Sequence, residues 1–154
     1  MPADGTQELR PTRAELIQVR AYWESKRRPC GGLPGRADID PLEMRYALGH
    51  LVLTDVEAGD PPRFRLRLVG SHVAERMGYD ATGRYIDALL PAPWPVSVLP
   101  FYRRVVETGA PVLQAVDDVF DERYLKGEIL RLPLAKDGKR VDMVLSAAYF
   151  GRTA

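Results

Sequence analysis

Acidic side chains occur in two places where paired carboxylates could hold a cation or perform acid–base chemistry. In "GRADIDP", Asp38 and Asp40 are two residues apart, but Pro41 follows Asp40, and this order is typical of a helix cap. A second acidic group in "DDVFDE" lacks the glycine turn of a calcium loop: Asp117, Asp118, Asp121 and Glu122. We interpret Asp38 as a loop residue and the second group as a solvated strand end, so neither predicts a metal site.

Cysteine and histidine are too few to define a catalytic centre. The single cysteine, Cys30, excludes an internal disulfide and a cysteine zinc site, and it agrees with a reducing compartment. The sequence has no Ser–His–acid arrangement in a known context, no phosphate-binding glycine loop and no His–acid spacing suited to a metal. We therefore predict no catalytic residue and no metal ligand, and we expect that the protein is not an enzyme.

Arginine side chains form a basic stripe in "RFRLRLVGS", where Arg63, Arg65 and Arg67 alternate with apolar residues along one strand. Guanidinium groups bind carboxylate and phosphate well, so an anionic partner is one explanation. A second basic cluster follows the first helix: Lys26, Arg27, Arg28 and Arg36. Cations at a helix end are favourable without a partner, and the 22 basic and 21 acidic side chains nearly cancel. Nucleic-acid binding is therefore not expected.

Length and composition favour one compact domain. The chain has 154 residues, of which 45% are hydrophobic, and this is enough for a single core. It has no apolar run of about 18 residues and no basic-then-apolar signal segment near its start. We expect a cytoplasmic protein without a membrane span.

Helical signals come first along the chain. Thr12 and Glu15 have the spacing of a capping box. Apolar residues then recur at helical intervals: Leu16, Val19 and Trp23. The pattern predicts a helix over 12–28, then a glycine- and proline-rich connector, then a short helix capped by Asp40.

The rest of the sequence predicts strands around a group of helices. The chain then contains two strands (50–59 and 63–71), short helical segments (71–90), a longer helix (94–111) and three strands (111–120, 128–135 and 139–150). The first short helix is expected to run from Ser71 to Gly78. Asp137 and Gly138 join the last two strands and favour a type I′ hairpin turn. The expected fold is α+β: a five-stranded antiparallel sheet with short helices on one face and an added N-terminal helix.

This order of elements resembles a PAS domain, and so does "MGYDATGRYIDALL", in which Gly78-Tyr79 and Gly83 precede an apolar segment. Together with "LPGRADIDPLEM", the pattern resembles the short stand-alone PAS-like proteins of alphaproteobacteria. The resemblance divides the chain into a loose N-terminus, a helix with its connector, a PAS-like domain and a tail: 1–11, 12–32, 33–150 and 151–154.

The resemblance implies a cavity between the inner sheet face and the short helices, where many PAS domains bind a small molecule. The residues expected to line it are Leu66, Leu68, Met77, Tyr85, Trp94, Tyr102, Leu132, Met143 and Leu145. Large apolar side chains at these periods are also what any core needs, so plain core packing is the alternative.

The resemblance leaves the cofactor unidentified. Haem-binding PAS domains present an axial histidine from a helix, but His72 lies at a helix start and His50 opens a strand. Light-sensing flavin relatives use a cysteine in an Asn-Cys-Arg setting on a helix after the second strand, whereas Cys30 lies in the connector. Neither haem nor a flavin adduct is expected.

The sheet order of PAS domains offers a second explanation for the arginine stripe. In that order the second strand lies at an edge, and charged side chains on an edge discourage other chains from pairing with it. Edge protection and an anionic partner both remain open from the sequence.

The last strand, "VDMVLSAAYF", is apolar on both alternating sets. A strand with one solvated face alternates apolar and polar residues, so this one is expected to be covered on both faces. We assign Met143 and Leu145 to the cavity and Val144 and Phe150 to the outer face. The N-terminal helix covers the outer face, forms a homodimer interface, or does both, and the interface candidates are Leu16, Val19, Trp23, Val144 and Phe150.

The expected function is that of a non-catalytic sensory or regulatory module. It binds a small molecule in its cavity and signals through contacts with another protein, whose identity the sequence does not give. Two alternatives remain: a small enzyme with an apolar pocket, and a dimeric scaffold without a ligand.

Overall fold

The computed structural model describes residues 10–89, 94–120 and 123–151. Helices and strands follow the order α1 (Ala14–Ser25), β1 (Leu51–Glu57), β2 (Arg63–Val69), α2 (Ser71–Met77), α3 (Trp94–Thr108), β3 (Val112–Phe120), β4 (Arg123–Leu134) and β5 (Met143–Phe150). Short 3₁₀ segments connect them at Arg36–Asp38, Pro41–His50 and Ile86–Ala88. Within the described residues, no helix combines the length and the apolarity needed to cross a membrane.

The strands form one sheet in the order β2-β1-β5-β4-β3, and all neighbours are antiparallel. The predicted α+β fold with a five-stranded antiparallel sheet is therefore confirmed. Because β5 lies in its middle, between β1 and β4, the side chains of β5 need cover on both faces.

Helix α1 covers one face of the sheet, which we call the outer face. The stripe of Leu16, Val19 and Trp23 has no solvent exposure. The indole N–H of Trp23 donates to the carbonyl of Pro133 in β4 over 2.9 Å. The predicted narrow apolar stripe thus packs against the sheet of its own chain.

The start of α1 is held by a partner distant in sequence. The predicted capping box of Thr12 and Glu15 was wrong: the N-cap is Arg13, and its side chain makes no capping hydrogen bond. The carboxylate of Glu128 in β4 accepts from the backbone N–H groups of Thr12 (3.0 Å) and Arg13 (3.2 Å). A carboxylate suits this position because unpaired N–H groups give a helix N-terminus partial positive charge.

Two other predicted helix signals are confirmed. The side chain of Asp40 accepts from the backbone N–H of Leu42 over 3.0 Å and caps the 3₁₀ segment Pro41–His50. Gly78 ends α2 with φ of +88°, a conformation that favours glycine.

A β-bulge interrupts the pairing of β1 with β2. Leu53 faces Leu68, whereas the next residue, Thr54, faces Leu66, so one extra residue of β2 stands between them. A bulge shifts the alternation of side chains by one residue. Leu66 therefore remains on the inner face, while Leu68 lies on the outer side and is 46% exposed.

The connection between β4 and β5 is longer than predicted. Of Asp137 and Gly138, only Gly138 has a positive φ, at +80°, so the type I′ prediction was wrong. The carboxylate of Asp137 instead accepts from the backbone N–H groups of Lys139 and Arg140, both over 2.8 Å. An aspartate that bonds the backbone two residues ahead stabilises a turn without two left-handed residues.

The arginine stripe is exposed and partnered within the chain. Arg63 forms two hydrogen bonds to the carboxylate of Asp87, at 3.0 and 3.1 Å, and Arg67 pairs with Asp55 at 3.0 Å. Arg65 donates to the carbonyl of Gly83 over 3.0 Å. Backbone bonds between Leu66 and residues 83–84 lay this segment along the free edge of β2. Arg63 and Arg65 thus hold residues 83–87 against the edge strand β2, whereas Arg67 pairs with the neighbouring strand β1.

Candidate ligand cavity

A cavity of about 70 Å³ lies between the inner face of the sheet and the helices α2 and α3. Strands β1, β2, β4 and β5 supply its floor, and α2, α3 and the 3₁₀ segment Ile86–Ala88 supply its cover. Its lining comprises Val52, Leu66, Val69, Val73, Arg76, Met77, Ile86, Leu89, Val98, Tyr102, Ile129, Arg131, Ser146, Ala148 and Phe150. Most of these side chains are apolar, and the exceptions at the floor are Arg131 and Ser146.

Three of the nine residues predicted to line a cavity do line it: Leu66, Met77 and Tyr102. Tyr102 projects from α3, and its hydroxyl shares a hydrogen bond of 3.1 Å with Thr54 of β1. Its ring lies 5.3 Å from that of Phe64 in β2. These contacts fix the position of α3 over the sheet.

Leu132, Met143 and Leu145 were assigned to the wrong face. Leu145 is opposite Leu132 and Leu53, whereas the next residue, Ser146, lines the cavity. Successive side chains of a strand point to opposite faces. All three therefore lie on the outer face, where α1 covers the sheet.

The other predicted lining residues also lie elsewhere. The bulge moves Leu68 to the outer side, and Val69 takes the place at the cavity. The hydroxyl of Tyr85 donates to the carboxylate of Glu57 over 2.9 Å, and its ring lies 3.7 Å from the Arg63 guanidinium, outside the cavity. The side chain of Trp94 lies outside the described residues.

Val144 and Phe150, which were assigned to the outer face, lie on the inner one. Val144 is fully buried opposite Thr54, and Phe150 lines the cavity. Leu16, Val19 and Trp23 are buried within the chain itself. The burial of these five residues needs no second subunit, and homodimer formation stays a prediction.

Arg131 is the most unusual group in the cavity. Only 2% of this arginine is exposed. Its Nη1 donates to the amide oxygen of Gln114 over 2.7 Å, and its guanidinium lies 4.7 Å from the ring centre of Tyr102. Its Nε has no hydrogen-bond partner, and no ion pair with a carboxylate is seen in the described part of the chain.

Burial lowers the pKa of the Arg131 guanidinium because the charged form loses its hydration there. Arginine nevertheless keeps its charge in proteins. The cavity floor therefore carries a positive charge that its own walls do not neutralise.

Ser146 lies directly across from Arg131, on the neighbouring strand β5. Its hydroxyl is buried and has no hydrogen-bond partner. Side chains opposite each other on adjacent antiparallel strands are within reach of a common third group. The floor thus offers two unused polar groups side by side.

Sequence reasoning missed both groups, although each carries a signal. Arg131 interrupts the apolar run "ILRLPLA", and Ser146 interrupts "VLSAAYF". A polar residue inside a strand that is apolar on both faces is either buried with a partner or prepared for a ligand.

His50 lies directly before β1, between Tyr149 of β5 and His72 of α2. Its Nδ1–H donates to the carbonyl of Ala148 over 3.0 Å. Its ring stacks on Tyr149 at 3.9 Å and on His72 of α2 at 4.4 Å. Burial lowers the pKa of His50 and raises the pKa of Tyr149 to about 12.

A larger open groove of about 790 Å³ lies beside the start of α1, and several of its polar groups already have partners. Glu128 binds the start of α1, and the Tyr124 hydroxyl donates to Asp117. The Asp118 side chain and residues 121–122 of the predicted acidic group lie outside the described residues. In the described part, no three His, Cys, Asp or Glu side chains form a metal-binding group. The smaller cavity is therefore the better candidate site.

A single antiparallel sheet with helices enclosing a small cavity on one face defines a class of α+β fold. The sequence gives the family, since a model described as "PAS domain" matches residues 12–148. The chain belongs to the PAS domain family, and the resemblance to a PAS domain is confirmed. No curated protein matches the chain.

Solved structures of light-oxygen-voltage (LOV) proteins share the fold. A LOV domain studied with a flavin analogue is 16% identical with a TM-score of 0.53, over 75% of this chain and 88% of that one. A fungal LOV domain photoreceptor is 15% identical with a TM-score of 0.52, over 88% and 91%. The Rhodobacter sphaeroides LOV protein is 14% identical with a TM-score of 0.51, over 91% and 69%. At these identities the similarity concerns the fold alone.

Proposed function

We propose that this protein is a non-catalytic sensory module that binds a small molecule in the cavity and signals through contacts with another protein. The observation that carries the proposal is the pair of unpartnered polar atoms at the floor, Nε of Arg131 and the hydroxyl oxygen of Ser146. Buried polar groups normally have hydrogen-bond partners. A bound molecule would supply them.

The size of the cavity restricts what it holds. About 70 Å³ accommodates a few waters or a ligand of a few heavy atoms. Pockets for drug-sized ligands measure roughly 300–1,000 Å³. A compact metabolite therefore fits better than a large planar cofactor.

One of the similar LOV domains was studied with a flavin analogue, but flavin does not fit this chain. The cavity is far smaller than the ring system needs. The only cysteine, Cys30, is exposed in the connector and is not part of the lining. A cysteinyl flavin adduct is therefore not proposed.

Exposed apolar side chains on the outer side support signalling by contact. Ile17 of α1 is exposed, and so are three residues of the adjacent 3₁₀ segment Pro41–His50: Leu42, Tyr46 and Leu48. Exposed apolar patches commonly mark protein interaction sites. We propose this surface as the contact for a signalling partner or a second copy of the chain, in the cytoplasm.

Native mass spectrometry beside a denatured control tests the proposal. We expect a discrete extra mass that is lost on denaturation, because a ligand would be held without a covalent bond. Ala148→Leu fills the cavity and should abolish the extra mass, whereas the same change at exposed Ala37 should keep it.

Ligand binding would be contradicted if the wild-type protein and the two variants carried the same extra mass, or none, and a small-molecule screen gave no thermal shift. A ligand-free dimer in the same spectra would favour the scaffold alternative. Turnover of a bound compound would favour the small enzyme.

A further inference from the structure

Among the described residues, the Arg131 cation at the cavity floor has no anionic partner. Arg131 is buried, its amide partner Gln114 is neutral, and its aromatic neighbours Tyr102 and Phe101 bring no full charge. Its Nε–H has no acceptor. Burying an ion without a counter-ion is unfavourable, so the arrangement is incomplete as it stands.

The second donor narrows the chemistry of the missing group. The Ser146 hydroxyl is buried, has no partner and lies across from Arg131 on the adjacent strand. A guanidinium N–H and a hydroxyl can donate to the two oxygens of one carboxylate. One negative charge would balance the Arg131 guanidinium, and the other guanidinium at the cavity, that of Arg76, has an interaction of its own.

The remaining wall selects against larger anions. Side chains beside the two donors on the floor are apolar, including Val52, Leu66 and Ile129. About 70 Å³ leaves room for a chain of a few carbon atoms. A phosphate group carries more oxygens and more charge than these two donors satisfy.

We propose that the cavity binds a short-chain monocarboxylate, whose carboxylate lies between Arg131 and Ser146 and whose alkyl tail packs against the apolar wall. This proposal rests on the proposed function and adds the ligand class to it. Arg131 is then the specificity-determining residue, and Ser146 orients the carboxylate.

The test compares propionate and butyrate with propionamide and butyramide by NMR chemical-shift perturbation at constant ionic strength. Each acid and amide pair has nearly the same shape but differs in charge. We expect the acids to bind at least about tenfold more tightly, because bonds between charged groups are stronger. The shifts should occur at residues around the cavity.

Variants assign the preference to the two donors. Arg131→Met should remove the preference for acids, whereas Arg103→Met, the same change at an exposed arginine, should keep it. Ser146→Ala should weaken acid binding several-fold and leave amide binding unchanged. If Arg131→Met does not fold, Arg131→Lys serves instead, since it keeps the charge but loses the fork, and it should weaken acid binding.

The outcomes separate this proposal from the function on which it rests. If amides bind at the cavity as tightly as acids, the carboxylate proposal fails and the small-molecule sensor stands. If the preference survives in both Arg131→Met and Ser146→Ala, the acids bind elsewhere and the proposal also fails. If neither class binds and no ligand is found by native mass spectrometry, both proposals fall.

Discussion

The outer and inner faces of the sheet are both buried, yet they are built differently. On the outer face, the apolar stripe of α1 leaves no exposure, and Trp23 satisfies its indole N–H on the carbonyl of Pro133. On the inner face, the helices leave a cavity, and two polar groups at its floor lack partners. The outer face has one unpartnered atom of its own, the Tyr149 hydroxyl, which lies outside that cavity.

The difference separates stability from recognition. Close packing and satisfied hydrogen bonds stabilise the folded state, and they leave nothing for a ligand to gain. Unused donors in a small space destabilise the ligand-free protein and reward a molecule that pairs with them. We infer that packing on the outer face stabilises the fold. The unpaired donors on the inner face lower that stability and favour ligand binding.

Replacing Trp23 with alanine should give the largest effect. The change removes a fully buried side chain and its hydrogen bond, so we expect a loss of about 3–5 kcal/mol in the free energy of unfolding. Urea denaturation measures it. Ile17→Ala on the same helix, where the side chain is 52% exposed, should change the value by no more than about 0.5 kcal/mol. Similar losses in the two variants would show that α1 is not an integral cover of the sheet.

Two neighbours on β4 compare the faces directly, since Leu132 points outward and Arg131 points inward. Leu132→Ala should cost about 2–5 kcal/mol because it leaves a cavity in a packed face. Arg131→Met should be neutral or stabilising in the ligand-free protein, because losing an unpaired buried charge outweighs the lost bond to Gln114. Urea denaturation of the two variants tests this contrast, which would collapse if Arg131→Met lost as much stability as Leu132→Ala.

A smaller effect on stability, which depends on pH, is expected at His50, directly before β1. Its pKa is lowered because burial outweighs the hydrogen bond to Ala148, which raises it, and the nearby charge of His72 lowers it further. Its stabilising contribution is therefore present above the ordinary pKa of about 6.5 and is lost as pH falls below it. NMR titration should place the midpoint of His50 below that of the urea-unfolded chain.

Thermal unfolding between pH 8 and pH 5 gives the matching stability test. The His50→Gln variant should lose part of the decline that the wild-type protein shows as the pH falls through this range. A midpoint at or above the unfolded value would mean that the packing around His50 does not exclude water.

Periodicity predicted the elements of this fold better than their faces. Helix α1, the cap at Asp40, the end of α2 at Gly78 and the five strands all follow local patterns that the structure confirms. The faces of β5 did not follow, because apolar residues occupy both alternating sets and nothing local distinguishes them. Because of that ambiguity, Leu145 was assigned to the inner face and Val144 to the outer face, which is the reverse of the observed arrangement.

Long-range contacts explain the remaining errors. The bulge opposite Leu53 and Thr54 depends on how two strands pair, so Leu68 was placed on the wrong face. The start of α1 depends on Glu128, which is 116 residues away from Thr12. Arg131 escaped notice because its importance comes from what is missing around it, and a sequence pattern does not show an unpaired donor.

The position of α1 also bears on where this domain can be cut. The outer face of β1, β4 and β5 is apolar, and α1 is the helix that lies on it. A fragment that began at residue 33 would keep every strand of the sheet and yet expose this surface to water. The smallest unit that folds alone should therefore begin no later than Thr12, which leaves the connector as a loop inside the domain rather than a linker in front of it.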